Sequence, residues 1–227
     1  MSSSDEGPVE RIPLPSALAA RVVDRGPPRR IHGFAVGDDL APGYSFAEIV
    51  LLSLTGRPPT EGEGRAFEVV LAFSSAIDVG EAPAHAAALA RLCASATKNV
   101  VGVGAMVLAE HVAARLRELA PLWPWLEDRT LELPTLARAP ASRELAELRA
   151  ALPEPWCTHA IFACSPSLEA ALVAILYDVG LVRAERMVAA LTIAGLATTC
   201  AEGFAVKPMN LRGYPMSTPP FHYVEDT

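Results

Sequence analysis

Apolar positions recur along this chain at helical spacing, and the residues between the runs are those that start and stop helices. From Ser45 the pattern is sharp. Ser45 and Glu48 have capping-box spacing, in which the hydroxyl serves the N3 amide and the carboxylate reaches back. Phe46, Ile49, Val50, Leu52 and Leu54 follow as one broad apolar face. Gly56 then supplies a left-handed C′ position, and Pro58 and Pro59 stop the helix. Thr60 and Glu63 form a second box, opening a helix expected to run through about Asp78 on Phe67, Val70, Leu71, Phe73 and Ile77. Pro83 starts a third helix with Leu89, Leu92 and Cys93 expected inward.

Residues 98–119 predict a long helix whose first half carries Gly102, Gly104, Ala105 and Ala109. Each glycine costs about 1 kcal/mol in a helix relative to alanine, so their role is to let another backbone approach. Pro121 and Pro124 break the pattern, and residues 121–141 read as a long loop or short strand pair. Short helices are expected over 142–152 and from Ser165, with Pro166 at N1, to Gly180. A last helix spans 183–202. Before Ser45 the chain offers one short helix candidate over 16–24 and at most a short extended piece at 31–34. The sum is an all-α chain: an N-terminal extension over 1–30, a helical domain over 31–202 and an extended tail over 203–227.

Composition narrows the partners. The chain has 227 residues, 51% hydrophobic and 20% charged, enough to bury a large core. A net charge of −7 argues against nucleic acid, whose phosphates demand a basic surface. The longest uninterrupted apolar run, 100–109, is too short to span a bilayer, and residues 1–9 are polar and acidic, unlike a signal peptide. A cytoplasmic protein with no membrane partner is expected. Four irregularly spaced cysteines (Cys93, Cys157, Cys164, Cys200) then read as reduced thiols, three of them in apolar helical patterns.

Most chemical motifs fail on inspection. Gly102-Val-Gly104 lacks a preceding strand and a third glycine, so it is no dinucleotide loop. Cys157, His159 and Cys164 lack a fourth ligand at zinc spacing, and no metal is expected. His111 is the histidine worth weighing: a general acid in a crowded helical interior, or a polar-face residue near Arg115. Its neighbour Glu110 points to another face and is poorly placed to orient it.

Three stretches together resemble the citrate synthase family, including its shorter citryl-CoA-lyase-like members. They are Ile31-His-Gly-Phe34 with the Ser45–Thr60 helix and turn, Ala94-Ser95 through Glu110-His111, and Glu169 through Glu202. The resemblance implies a large helical domain with a reduced small domain, located at 118–165, and dimerisation through central helices or pairing with a homologous subunit. It implies a CoA thioester as substrate, no covalently bound cofactor, and a carbon–carbon bond made or broken with an oxo acid. By the resemblance His111 and Glu202 are the catalytic candidates, and His85 and Arg212 the substrate-binding ones.

The departures are also specific. Where the family's histidine precedes Gly-Gly-Ala, His111 precedes Val112, Ala113 and Ala114, and the family histidine falls on His111, Val112 or Ala113 depending on register. An arginine position is Thr192, and a later Ala-His is Thr198-Thr199. The family's second glycine-rich loop and catalytic aspartate have no counterpart between Pro121 and Ser165. Threonine has no charge and no bidentate fork, so it cannot replace a carboxylate-clamping arginine. These losses argue against ordinary citrate synthesis. Three readings stay open: an enzyme diverged toward another acid, a non-catalytic binding or partner subunit, and a helical protein of another class whose resemblance is accidental.

Overall fold

The computed structural model describes residues 19–209 and divides the chain at Ser45 into two compact units. In the first unit, three two-residue strands, β1 (Val23–Asp24), β2 (Arg30–Ile31) and β3 (Phe34–Ala35), form an antiparallel meander. Ile31 pairs with Phe34 around His32 and Gly33, both at positive φ (48° and 89°), the backbone a two-residue hairpin turn requires. The helix expected over 16–24 is not formed in its described part. Val22 and Val23 are β-branched, Pro27 and Pro28 follow closely, and the segment is extended instead.

Among the described residues the second unit holds eight α-helices: α1 (Phe46–Thr55), α2 (Glu61–Phe73), α3 (Ala82–Leu92), α4 (Thr97–Glu118), α5 (Trp123–Glu127), α6 (Arg143–Ala151), α7 (Leu168–Asp178) and α8 (Ala184–Ala205). The all-α expectation is met. At α2, Thr60 accepts from the Glu63 amide while the Glu63 carboxylate accepts from the Thr60 amide. Arg57 binds the same carboxylate through both terminal nitrogens and donates to the Val179 carbonyl at the end of α7, joining two turns far apart in sequence. The Arg57 guanidinium holds the Glu63 carboxyl down at about 2.

Several boundaries shift for local reasons. α2 stops at Phe73 rather than near Asp78, because Ser74 and Ser75 turn their hydroxyls back onto the Val70 and Ala72 carbonyls. Ser165 sits at φ 51°, so α7 starts later, capped by Ser167, whose hydroxyl accepts from the Ala170 amide. Residues 121–141 form helical turns, including α5, and no strand pair; the extended contact there is a single bridge between Arg138 and Pro166. α8 continues to Ala205, past the expected start of the tail, and residues from 210 on lie outside the described ones.

α1, α2, α6 and α7 share a core centred on Phe67, Leu51, Leu148 and Ile175. Leu122, Trp125, Leu133 and Ile161, from the segment between α4 and α7, belong to the same core. α3, α4 and α8 pack through small residues. The buried face of α3 is Pro83, Ala84, Ala87 and Ala88, while Leu89 and Cys93, expected inward, are exposed. Cys157, Cys164 and Cys200 are only half-buried. A Cβ on Gly104 would lie 2.9 Å from the Thr199 methyl, and one on Gly203 2.9 Å from Ala87. Gly104 thus serves the close approach expected of it, whereas a Cβ on Gly102 would meet nothing within 4 Å.

The cap yields a test. Thr60→Ala should lower unfolding free energy by about 1 kcal/mol in urea titration. Because Glu63 is more acidic folded than its ordinary value of 4.5, its contribution is present above that pH and lost as pH falls toward 2. Glu63→Gln should therefore be less stable than wild type at pH 7, with the gap closing below about pH 4.5.

Candidate functional site

The early end of α2 leaves residues 74–81 as a loop over the side of α4, and a cleft lies beneath it. His111 and Arg115 stand one turn apart on the same face of α4, with Leu108, Val112 and Leu119 beside them. Phe73, Ser74, Ala76 and Ile77 close one wall, and Leu168, Glu169, Leu172 and Val173 of α7 the other. The cleft measures about 200 Å³. It shares Arg115, Leu119 and Glu169 with a more polar mouth of about 290 Å³ that adds Glu118, Leu136 and Ser167.

The charges are arranged with a gap at the centre. His111 Nε2 lies 3.7 Å from Glu81 Oε2, too far for a hydrogen bond but within ion-pair reach when the ring is protonated. Glu81 is itself fixed, its other oxygen accepting from the Asp78 amide at 3.2 Å. The Arg115 guanidinium has no hydrogen-bond or ion-pair partner among the described residues. Glu169 sits in the first turn of α7, where the helix dipole favours a carboxylate. An unpaired guanidinium presents a fork that fits a carboxylate, and an imidazole one turn away can hydrogen-bond a carbonyl on the same ligand.

The four residues singled out in the sequence are not gathered here. His111 lines the cleft. Glu202 is half-buried on α8 and lines neither cleft nor mouth. Its neighbour Gly203 packs on Val100, eleven positions before His111 on α4, or about 16 Å along the helix. His85 is exposed on α3, and Arg212 lies outside the described residues. Sequence reasoning did not select Arg115, Glu169 or Glu81 as site residues. The i, i+4 spacing of His111 and Arg115 was the available signal; the other two come from distant segments.

No protein-family model and no curated protein matches the sequence. Among solved structures, the citryl-CoA lyase from Hydrogenobacter thermophilus superposes with a TM-score of 0.60. The match covers 92% of this chain and 97% of that one at 16% identity. The fold is citrate-synthase-like.

Within this citrate-synthase-like fold, the threonines at the departed positions are occupied with packing. Thr199 is fully buried against Gly104, and the hydroxyls of Thr192 and Thr199 are buried without a hydrogen-bond partner. Thr198 donates to the Ser75 carbonyl at 2.5 Å and to Gly195 at 3.0 Å, tying the loop over the cleft to α8.

A second polar cluster closes the segment between α4 and α7. Asp178 accepts from Arg129 Nη2 at 2.8 Å and from His159 Nε2 at 2.5 Å. His159 Nδ1 accepts from the Ile161 amide, which assigns the proton to Nε2. Its ring lies parallel to Trp156, and the Arg129 guanidinium covers Trp125 at 4.1 Å. Both imidazole nitrogens are engaged, so this cluster acts as a clamp, not a free base. Among the described residues no three His, Cys, Asp or Glu side chains are grouped to hold a metal. The Glu154 carboxylate beside Cys157 pushes that thiol up, and burial does the same to Cys200, so neither is an activated nucleophile.

The two clusters should separate in stability measurements. Asp178→Asn should cost about 1.5–3 kcal/mol, the range for hydrogen bonds to charged groups. Arg115→Ala, at an exposed side chain with no partner, should change unfolding free energy by less than about 0.5 kcal/mol.

Proposed function

We propose that the protein acts on a CoA thioester and makes or breaks a carbon–carbon bond with an oxo acid. The observation that carries this reading is the pairing of His111 with an unpartnered Arg115 on one face of α4, facing Glu169. The structural relative, by its name a lyase of citryl-CoA, lends the same chemistry to the reading. Arg115 holds the acid's carboxylate, and His111 hydrogen-bonds its ketone oxygen. In the forward direction Glu169 takes the proton α to the thioester carbonyl, and that carbon attacks the ketone carbon. The resulting alkoxide takes a proton at His111, and the proton on Glu169 returns to the imidazole through cleft water. Cleavage is the reverse, and neither direction needs a redox partner. Positioned acid–base groups contribute about 10²–10⁴ each.

A second reading is a subunit that binds thioester or acid without turnover. Thr192, Thr198 and Thr199 favour it, since the positions where the family resemblance expects an arginine and a histidine serve packing here.

We also assign a second copy of this chain as the partner of α4 and α8. Each is 22 residues long, with mean hydropathy 1.2 and 1.5 over its most apolar window, yet only 28% of that window is buried. By length and composition alone both could cross a bilayer. On α8, Ile193, Ala197, Cys200 and Phe204 form one stripe opposite the seam with α4. On α4, Met106 is 67% exposed beside Gly102, whose open side has no use within one protomer. Glu110 and Arg117 pair on the exposed surface of α4, and such an ion pair suits a protein neighbour better than lipid.

Formation of a hydroxyacyl-CoA adduct from acetyl-CoA with a panel of oxo acids, read by mass spectrometry, and the reverse cleavage, test the activity. His111→Ala should lower kcat/KM by about 10²–10⁴. Thermal stabilisation by CoA thioesters with no turnover in either direction would select the second reading. Light scattering should give twice the 24.0 kDa chain mass, reduced to the chain mass by Met106→Glu; a monomeric wild type, or one that floats with lipid vesicles, would end the dimer assignment.

A further inference from the structure

Resting on the thioester reading above, we infer that the acid partner is a monocarboxylate bearing an apolar tail, rather than a di- or tricarboxylate. Three observations point the same way. The cleft is walled by Phe73, Ile77, Leu108, Leu172 and Leu191, and among the described residues its polar lining is Ser74, His111, Arg115 and Glu169, which leaves no further cation to hold a second carboxylate. Among the described residues, Arg115 is the only arginine or lysine lining either the cleft or its mouth. The mouth adds Glu118, and Glu169 lines both parts; these carboxylates would repel a second carboxylate while leaving the first to the guanidinium.

The size of the tail follows from the space. About 200 Å³, at roughly 30 Å³ per water-sized group, holds on the order of six heavy atoms. The acid then lies with its carboxylate at Arg115, its ketone oxygen at His111 and a tail of about four to six carbons under the 74–81 loop. Val112, which follows His111 where the family resemblance expects glycine, adds to that apolar wall. Burying each methylene should tighten binding about fourfold.

The test is calorimetric titration of the full chain, without thioester, using straight-chain 2-oxo acids from pyruvate to 2-oxodecanoate, and oxaloacetate. The expected result is a Kd falling about fourfold per methylene until the tail reaches four to six carbons, then levelling or rising. Oxaloacetate should bind more weakly than 2-oxobutyrate. Ala76→Phe, from the loop wall, should flatten the chain-length dependence while pyruvate still binds; Ala76→Leu, a smaller change, should shorten the optimum tail by one or two carbons. Arg115→Ala should weaken every acid at least tenfold. No binding of any acid, tightest binding of oxaloacetate, or a slope that survives the Ala76 variants would overturn the inference. Chain-length-dependent binding with no adduct formed from any thioester and no cleavage would leave it standing and end the proposed activity. Adduct formation that is fastest with oxaloacetate would end this inference alone.

Discussion

The distance between α8 and its neighbours α3 and α4 is set by glycine. A side chain at Gly104, Gly195 or Gly203 would meet Thr199, Ile77 or Ala87 at 3.0 Å or closer, so α8 sits where only hydrogen is accommodated. Three helical glycines cost about 1 kcal/mol each in propensity, which must be offset by dispersion contacts along the seam. The alanine face of α3 serves the same purpose from the other side. Because the seam is made of small residues, the bulky apolar side chains of α4 and α8 are left for other surfaces. Some, such as Leu108 and Leu191, line the cleft, while Met106 and Phe204 face outward. The cleft and the uncovered face are thus two consequences of one packing decision.

The loop over the cleft depends on the same seam. α2 could have continued by periodicity, since Ile77 keeps the apolar rhythm of Phe67, Val70 and Phe73. The hydroxyls of Ser74 and Ser75 compete for the last helical carbonyls, and the chain turns. Thr198 of α8 then takes the Ser75 carbonyl, and Gly195 receives Ile77. At the loop's far end, the Asp78 amide donates to the Glu81 carboxylate and the Glu81 amide to the Asp78 carbonyl, leaving one Glu81 oxygen toward His111. A helix end, a loop and a histidine environment are coupled through a few short contacts.

That chain of dependence explains what could be read in advance. Caps and breakers are local, so Thr60 with Glu63, Ser142, and the bounds of α4 within one residue were legible. The fold class followed from periodicity and from the resemblance. The boundaries that failed did so where a side chain's partner was remote or its hydroxyl could bond either way, as at Ser74 and Ser165. The same holds for the site. His111 was visible because its helix was visible, and Arg115 one turn on was equally visible but went unselected. Glu81 and Glu169 arrive from α3 and α7, and no spacing within the sequence relates them to α4.

The relation between the departed positions and the cleft follows from charge placement. Had Thr192 or Thr199 been arginine or histidine, a polar head would have to be desolvated in a seam where even the threonine hydroxyls lack partners. Such a group could be tolerated only if α8 moved away from α4, and Gly104 leaves no room for an intermediate arrangement. A tight seam and polar α8 positions therefore exclude each other. Here the seam is kept, and the ionisable groups around the cleft come from α4, α7 and the residue that caps α3. In this chain the cleft therefore draws its charge from the α4–α7 gap, where Arg115 is exposed and its side chain unpaired among the described residues, and Glu169 shares the same lining from a helix N-terminus.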